Sequence, residues 1–258
     1  MLHTYKDDFD LPLELETLSL TLPNYYGKPR TSQSTIPSFF SLQTLKVLSL
    51  SGNISHWRLQ PNSINLPLLE KITLQLASRL EEFLEAMVAP QLHHCDYQPS
   101  QFRRIPSFHN IGCVFSSVQF LSLWPCTEQN YLFDEAMAIS LAFPGVCHVE
   151  LLPVHIPHIF DMCKGLCIAD NWENLQCVTF NGLADEILQK SNVFVLWLQH
   201  RQNKGLPVLH VVISDVQDED AWGCSSTWLL RLYESLHEYC TLEFENIPLS
   251  PPLTFLEM

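Results

Sequence analysis

A six-residue template of apolar (Φ) and variable (x) positions, Φ-x-x-Φ-x-Φ, occurs nine times along the 258 residues, and such self-similarity restricts the fold more than composition does. It fits LETLSL (15–20), LKVLSL (45–50), LEKITL (69–74), LHHCDY (92–97) and VQFLSL (118–123). It fits again at VCHVEL (146–151), LQCVTF (175–180), VLHVVI (208–213) and YCTLEF (239–244). Successive matches lie 23 to 33 residues apart, with a mean of 28. The lead-ins INLPLLE, LAFPGVC and ADNWENLQ place Pro, Gly or Asn just before the match. A proline cannot donate to a sheet ladder, so it belongs at the beginning of a strand.

Between the matches lie segments with helical spacing: RLEEFLEAMV (79–88), YLFDEAMAISLAF (131–143), LADEILQKSNVFVLWLQ (183–199) and STWLLRLYESLHEY (226–239). In the first, Leu80, Phe83, Leu84 and Met87 fall on one face. A strand–helix unit of this length cannot bury its own apolar face, so the units must stack. The expectation is an α/β leucine-rich-repeat solenoid, a single domain over 1–258, with about nine parallel strands on the concave face and helices on the convex side. The first, fourth and sixth template positions point into the core. The third, fifth and seventh alternate away from it.

The first match has a rival reading. LPLELETLSL (11–20) also looks like the start of an F-box, a small helical adaptor-binding motif. An F-box needs a longer run of helical sequence, whereas residues 21–44 are rich in Pro, Ser, Thr and Tyr. The stretch therefore reads as a strand.

Lys and Arg number 14 against 28 Asp and Glu, a formal net charge of −14. Such a surface repels phosphate backbones and anionic lipid headgroups, so nucleic acid and membrane surfaces are poor partners. No apolar run approaches the length of a membrane span, and MLHTYKDDFDLP has acidic residues where a secretory signal has basic ones. The nine cysteines are scattered, the usage of a reducing compartment. The expected location is the cytoplasm or nucleus.

Catalytic signatures such as G-x-S-x-G, the phosphate-binding G-x-x-x-x-G-K-[ST] and the dinucleotide-binding G-x-G-x-x-G do not occur, so no enzyme activity, catalytic residue or cofactor is expected. HIPHIFDMCKGLC offers His155, His158, Cys163 and Cys167 as zinc ligands. Structural zinc sites usually hold two short ligand pairs separated by a longer loop. These four fall within 13 residues, so they read as core and surface side chains and no metal site is expected. The acidic run DVQDED (215–220) reads as a solvated loop.

The candidate site comes from the geometry of the repeat. In the middle three matches the third positions are His94, Phe120 and His148, the fifth are Asp96, Ser122 and Glu150, and the seventh are Gln98, Trp124 and Leu152. Parallel neighbours stand about 4.8 Å apart, so these nine side chains form one patch on the concave face. Displayed aromatics are binding anchors, and the carboxylates favour a protein partner that presents Lys or Arg.

The FPxLxxLxL-like strands, the irregular spacing and the phrases LPLLEKITLQL and APQLHHCDY resemble the leucine-rich region of fungal F-box proteins, over nearly the whole chain. The asparagine that commonly follows the repeat strand stands clearly only at Asn53. The resemblance implies recognition of a target protein for a cullin-type ubiquitin ligase. Binding of the ligase adaptor would need an F-box outside these residues. A free-standing interaction scaffold without a ligase link is the alternative, and an enzyme or zinc protein a distant one.

Overall fold

The computed structural model describes residues 15–22, 43–76, 79–98, 115–124, 132–162, 167–182, 184–214 and 225–245. Eleven strands are found there: β1 (Thr17–Thr21), β2 (Val47–Gly52), β3 (Ile64–Asn65), β4 (Lys71–Leu76), β5 (Met87–Val88), β6 (His94–Tyr97), β7 (Phe120–Leu123), β8 (His148–Leu151), β9 (Cys177–Asn181), β10 (Leu209–Ser214) and β11 (Cys240–Glu245). Nine form a single open sheet in the order β1-β2-β4-β6-β7-β8-β9-β10-β11, and every neighbouring pair is parallel. β3 and β5 make a separate two-residue parallel pair.

The template sets both the strand limits and the register. Seven of the nine strands open at the third template position, because the first two residues of each match lead the chain into the sheet. Third positions pair in an unbroken series: Thr17, Val47, Lys71, His94, Phe120, His148, Cys177, His210 and Thr241. Because side chains alternate with period two, this alignment sends every fourth and sixth position to the same side. LETLSL accordingly supplies β1, paired with β2, and the F-box reading of this stretch does not hold.

Burial follows the alternation. Fourth-position residues Leu48, Ile72, Leu121, Val149, Val178 and Val211 are fully enclosed. On the terminal strands β1 and β11, Leu20, Leu242 and Phe244 are only partly buried, since each of these strands has one neighbour among the described residues of the sheet. One expected core position is corrected. Val208, the first position of its match, is 67% exposed, and Leu209 is buried in its place at 1%. The match holds two adjacent apolar residues, and β10 starts at the second of them.

Helices α1 (Leu80–Ala86), α2 (Leu132–Ala142), α4 (Ala184–Asn203) and α5 (Ser225–Leu236) occupy the segments with helical spacing, and a short α3 (Ile156–Ile159) forms outside them. Leu80, Phe83, Leu84 and Met87 are all buried, as their spacing predicts. The long α4 covers β9 through aromatic packing. Phe160 meets Phe194 at 4.7 Å and Trp197 at 4.8 Å between ring centroids, and Phe180 of β9 meets Phe194 edge-on at 5.1 Å. Arg201, at the end of α4, donates to the Leu175 carbonyl at 2.5 Å and lies over the Trp197 ring. β2 ends where only glycine fits: Gly52 has φ +98°, and a Cβ there would lie 2.0 Å from the Leu22 carbonyl oxygen. The buried residues form one continuous hydrophobic cluster beneath the sheet. Among the described residues, no helix is long and apolar enough to cross a membrane.

Candidate functional site

The sheet face opposite the core carries the third, fifth and seventh positions. Near its middle the third-position row is an aromatic ladder. The His94 ring stacks on Phe120 with centroids 4.2 Å apart and planes 14° from parallel, and Phe120 meets His148 edge-on at 4.5 Å. The in-register pairing of β6, β7 and β8 produces this contact, since it holds successive third-position side chains one strand spacing apart.

Asp96 organises the fifth-position row. One carboxylate oxygen lies 2.7 Å from His94 Nε2, and the other accepts from Thr73 Oγ1 at 3.1 Å and pairs with Lys71 Nζ at 2.9 Å. Burial alone pushes this carboxyl up and is the largest single influence. The hydrogen bonds from His94 and Lys71, together with their positive charges, outweigh it and hold the group at about 2. Both Asp96 oxygens are therefore engaged within the chain, and Lys71 already supplies a cation.

Glu150 has a different environment. It accepts a hydrogen bond from the Asn181 side-chain amide of the neighbouring strand. His148 is tied through Nε2 to Thr179 Oγ1 at 2.8 Å. Burial pushes the His148 imidazole below its usual range; Glu150 opposes this, and His210 and His94 add to it. Further along the face, His210 Nε2 pairs with Glu243 Oε2 at 3.0 Å, and both side chains are well exposed.

The third- and fifth-position residues of the nine are brought together in register, but not as equals, and Gln98, Trp124 and Leu152 each follow directly after their strands. Trp124 is 43% exposed and is the large apolar side chain that the patch offers to solvent. Its backbone amide donates to the Tyr97 carbonyl at 3.0 Å, extending the ladder one step past β7. His94, Phe120, His148, Asp96, Glu150, Gln98 and Leu152 are half-buried. Ser122 is corrected: at 3% exposure it is buried. Its short side chain stands between Asp96 and Glu150 in the same row and is shaded by larger neighbours.

Sequence reasoning missed Lys71 and Thr73, which hold Asp96 from the next strand, and Thr179 and Asn181, which engage His148 and Glu150. The signal was present. All four stand in the same three rows, one strand outside the chosen block.

The four residues weighed as zinc ligands do not form a described site. His155 is buried, and its Nδ1 accepts from the Leu152 amide at 3.1 Å. Cys167 is also buried, and its Sγ donates to the Ile159 carbonyl at 3.2 Å. Cys163 and the DVQDED run lie outside the described residues. Among the described residues, no group of three or more His, Cys, Asp or Glu converges in a way that could hold a metal ion.

No protein-family model, curated protein or solved structure matches this chain.

Proposed function

We propose that the chain is a leucine-rich-repeat solenoid that binds a protein partner on the outward face of its parallel sheet. The observation behind this reading is the unbroken register of nine strands at a mean spacing of 28 residues, which turns the third- and fifth-position side chains of all nine to one surface. Strand–helix units repeating at this length and pairing only in parallel are the construction of such solenoids. A rigid sheet that displays an exposed tryptophan beside half-buried aromatics and carboxylates suits recognition of a protein surface. A large aromatic held on such a scaffold contributes contact area with little loss of conformational freedom.

The role we favour is target recognition in an F-box-type subunit of a cullin ubiquitin ligase. It rests on the resemblance of LPLLEKITLQL, APQLHHCDY and the irregular strand spacing to the leucine-rich region of such proteins. The partner presents Lys or Arg to the face.

Capture from a cell lysate on the immobilised chain, alongside its Trp124→Ala variant, tests the binding reading. The expected result is a protein retained by the wild type, lost with Trp124→Ala and released as salt is raised. Fusion of the chain to an adaptor-binding F-box should then direct ubiquitin onto that protein. Retention unchanged by Trp124→Ala contradicts the binding reading. Retention that depends on Trp124 without ubiquitin transfer contradicts the ligase role alone.

A further inference from the structure

The two terminal strands of the sheet carry different kinds of sequence. Among the described residues, β1 and β11 each have a neighbour on one side only. β11 reads CTLEFE and bears Glu243 and Glu245 along its length. Charges of this kind on an edge strand discourage pairing with a further chain. β1 reads TLSLT, has no charged residue and is the same in both directions. Glu16, just before it, is already paired with Lys46 at 2.8 Å. In a chain of net charge −14, this edge is an uncharged stretch.

The backbone of β1 is set to take a further strand. The Glu16 carbonyl accepts from the Lys46 and Val47 amides at 2.8 and 2.9 Å, and the Leu22 amide donates to the Ser51 carbonyl at 2.8 Å. Even-numbered residues therefore turn their N–H and C=O groups toward β2. Successive residues of a strand turn these groups to opposite sides, so those of Thr17, Ser19 and Thr21 lie along the other edge. Beneath that edge the end of the core is incompletely covered. Leu18 is buried, whereas Leu15, Leu20 and Leu22 are only partly so. A repeat that ends a stack usually closes it with a polar outer side, and this one presents leucines.

We propose that β1 pairs antiparallel with β1 of a second copy of the chain, about a two-fold axis through Ser19. The palindrome decides the partner. With Ser19 facing Ser19 of the second copy, Thr17 faces Thr21 and Leu18 faces Leu20, and the second copy makes the same contacts in return. An antiparallel register centred on Ser19 uses the backbone groups of Thr17, Ser19 and Thr21, the ones directed away from β2. The two sheets join edge to edge with their outward faces on the same side. The hydroxyls of Thr17, Ser19 and Thr21 continue that face, and the leucines close the core beneath it. Addition of β1 to the β11 edge of another copy is head-to-tail, by contrast, and generates an open chain of copies.

Sedimentation equilibrium of the full chain from about 1 µM to about 100 µM reads the association, with circular dichroism confirming the fold. The mass should rise with concentration to twice that of the single chain and stop there. Over the same range, hydrogen exchange at the Ser19 amide should slow. Ser19→Lys, at an exposed position, should lose the dimer because two lysines meet at the axis. Ser19→Glu should lose it in the same way, and an equimolar mixture of the two variants should restore it. Thr241→Lys places the same charge on an exposed residue of β11 and should leave the dimer intact.

A chain that stays monomeric up to about 100 µM overturns the proposal, as does a dimer that survives in both Ser19 variants. So does exchange at Ser19 that is independent of concentration, a reading that needs no variant to fold. Folded Ser19 variants that fail to associate on mixing overturn the placement of Ser19 at the axis. Loss of association through Thr241→Lys, or a mass that climbs past two copies, assigns the contact to β11 and overturns the two-fold pairing.

Discussion

Trp124 and Leu121 lie three residues apart in the sequence and face opposite ways. Leu121 occupies the fourth position of β7 and is completely enclosed, whereas Trp124, just past the strand, is 43% exposed. Their truncations should therefore separate binding from stability. Leu121→Ala should lower the unfolding free energy by about 2–5 kcal/mol in denaturant titration, because it leaves a cavity in a packed core. Trp124→Ala should change stability little and weaken partner binding by about 2 kcal/mol or more. The opposite pattern would mean that the surface is built from the even positions. Neighbouring residues show where the sequence was less informative. Phe120 read as a displayed anchor, yet His94 stacks on one face of its ring and His148 meets it edge-on. Ser122 read as displayed and is buried. Alternation tells which way a side chain points. How much of it solvent reaches depends on the sizes of its neighbours in the row, and those come from strands more than 20 residues away.

Strands were legible because period-two alternation and the 28-residue mean spacing are local properties of the sequence. The four longer helices were legible for the same reason, within a few residues at each end. The turn at 153–159 was not. HIPHIF carries two histidines that invite a metal reading, but it folds as a 3-10 turn at Pro153–His155 followed by the single-turn α3, with His155 turned inward. This element should leave a signature in acid. Burial, and then the nearby charge of His158, push the His155 imidazole down to about 4 from an ordinary value near 6.5. The unfolded chain takes up a proton below about pH 6.5, while the folded chain refuses it until about pH 4, so the contribution to stability is complete above that window and is lost as pH falls through it. His155→Gln should make the fall in unfolding free energy between these two pH values shallower by up to about 1.4 kcal/mol per unit, measured by denaturant titration at a series of pH values. An unchanged slope would show that His155 is not held neutral by the fold.

At the scale of the molecule, the nine-stranded ladder turns a weak sequence pattern into a surface. Each match supplies only three outward side chains, and no single strand carries a recognisable site. Register assembles them, so that Lys71, Asp96 and His94, from two strands, form one charged unit, and His148, Thr179, Glu150 and Asn181 form another. Which rows exist was legible in the template, while the bonds across them were not, because they depend on side-chain reach between strands. The proposed binding surface is this outward face and not the helical side. A photo-crosslinking amino acid placed at position 124, and in a separate variant at position 196 on α4, where Leu196 is 60% exposed, tests it directly. The protein retained by the chain should be crosslinked from position 124 and not from position 196. Crosslinking from 196 with none from 124 would contradict it.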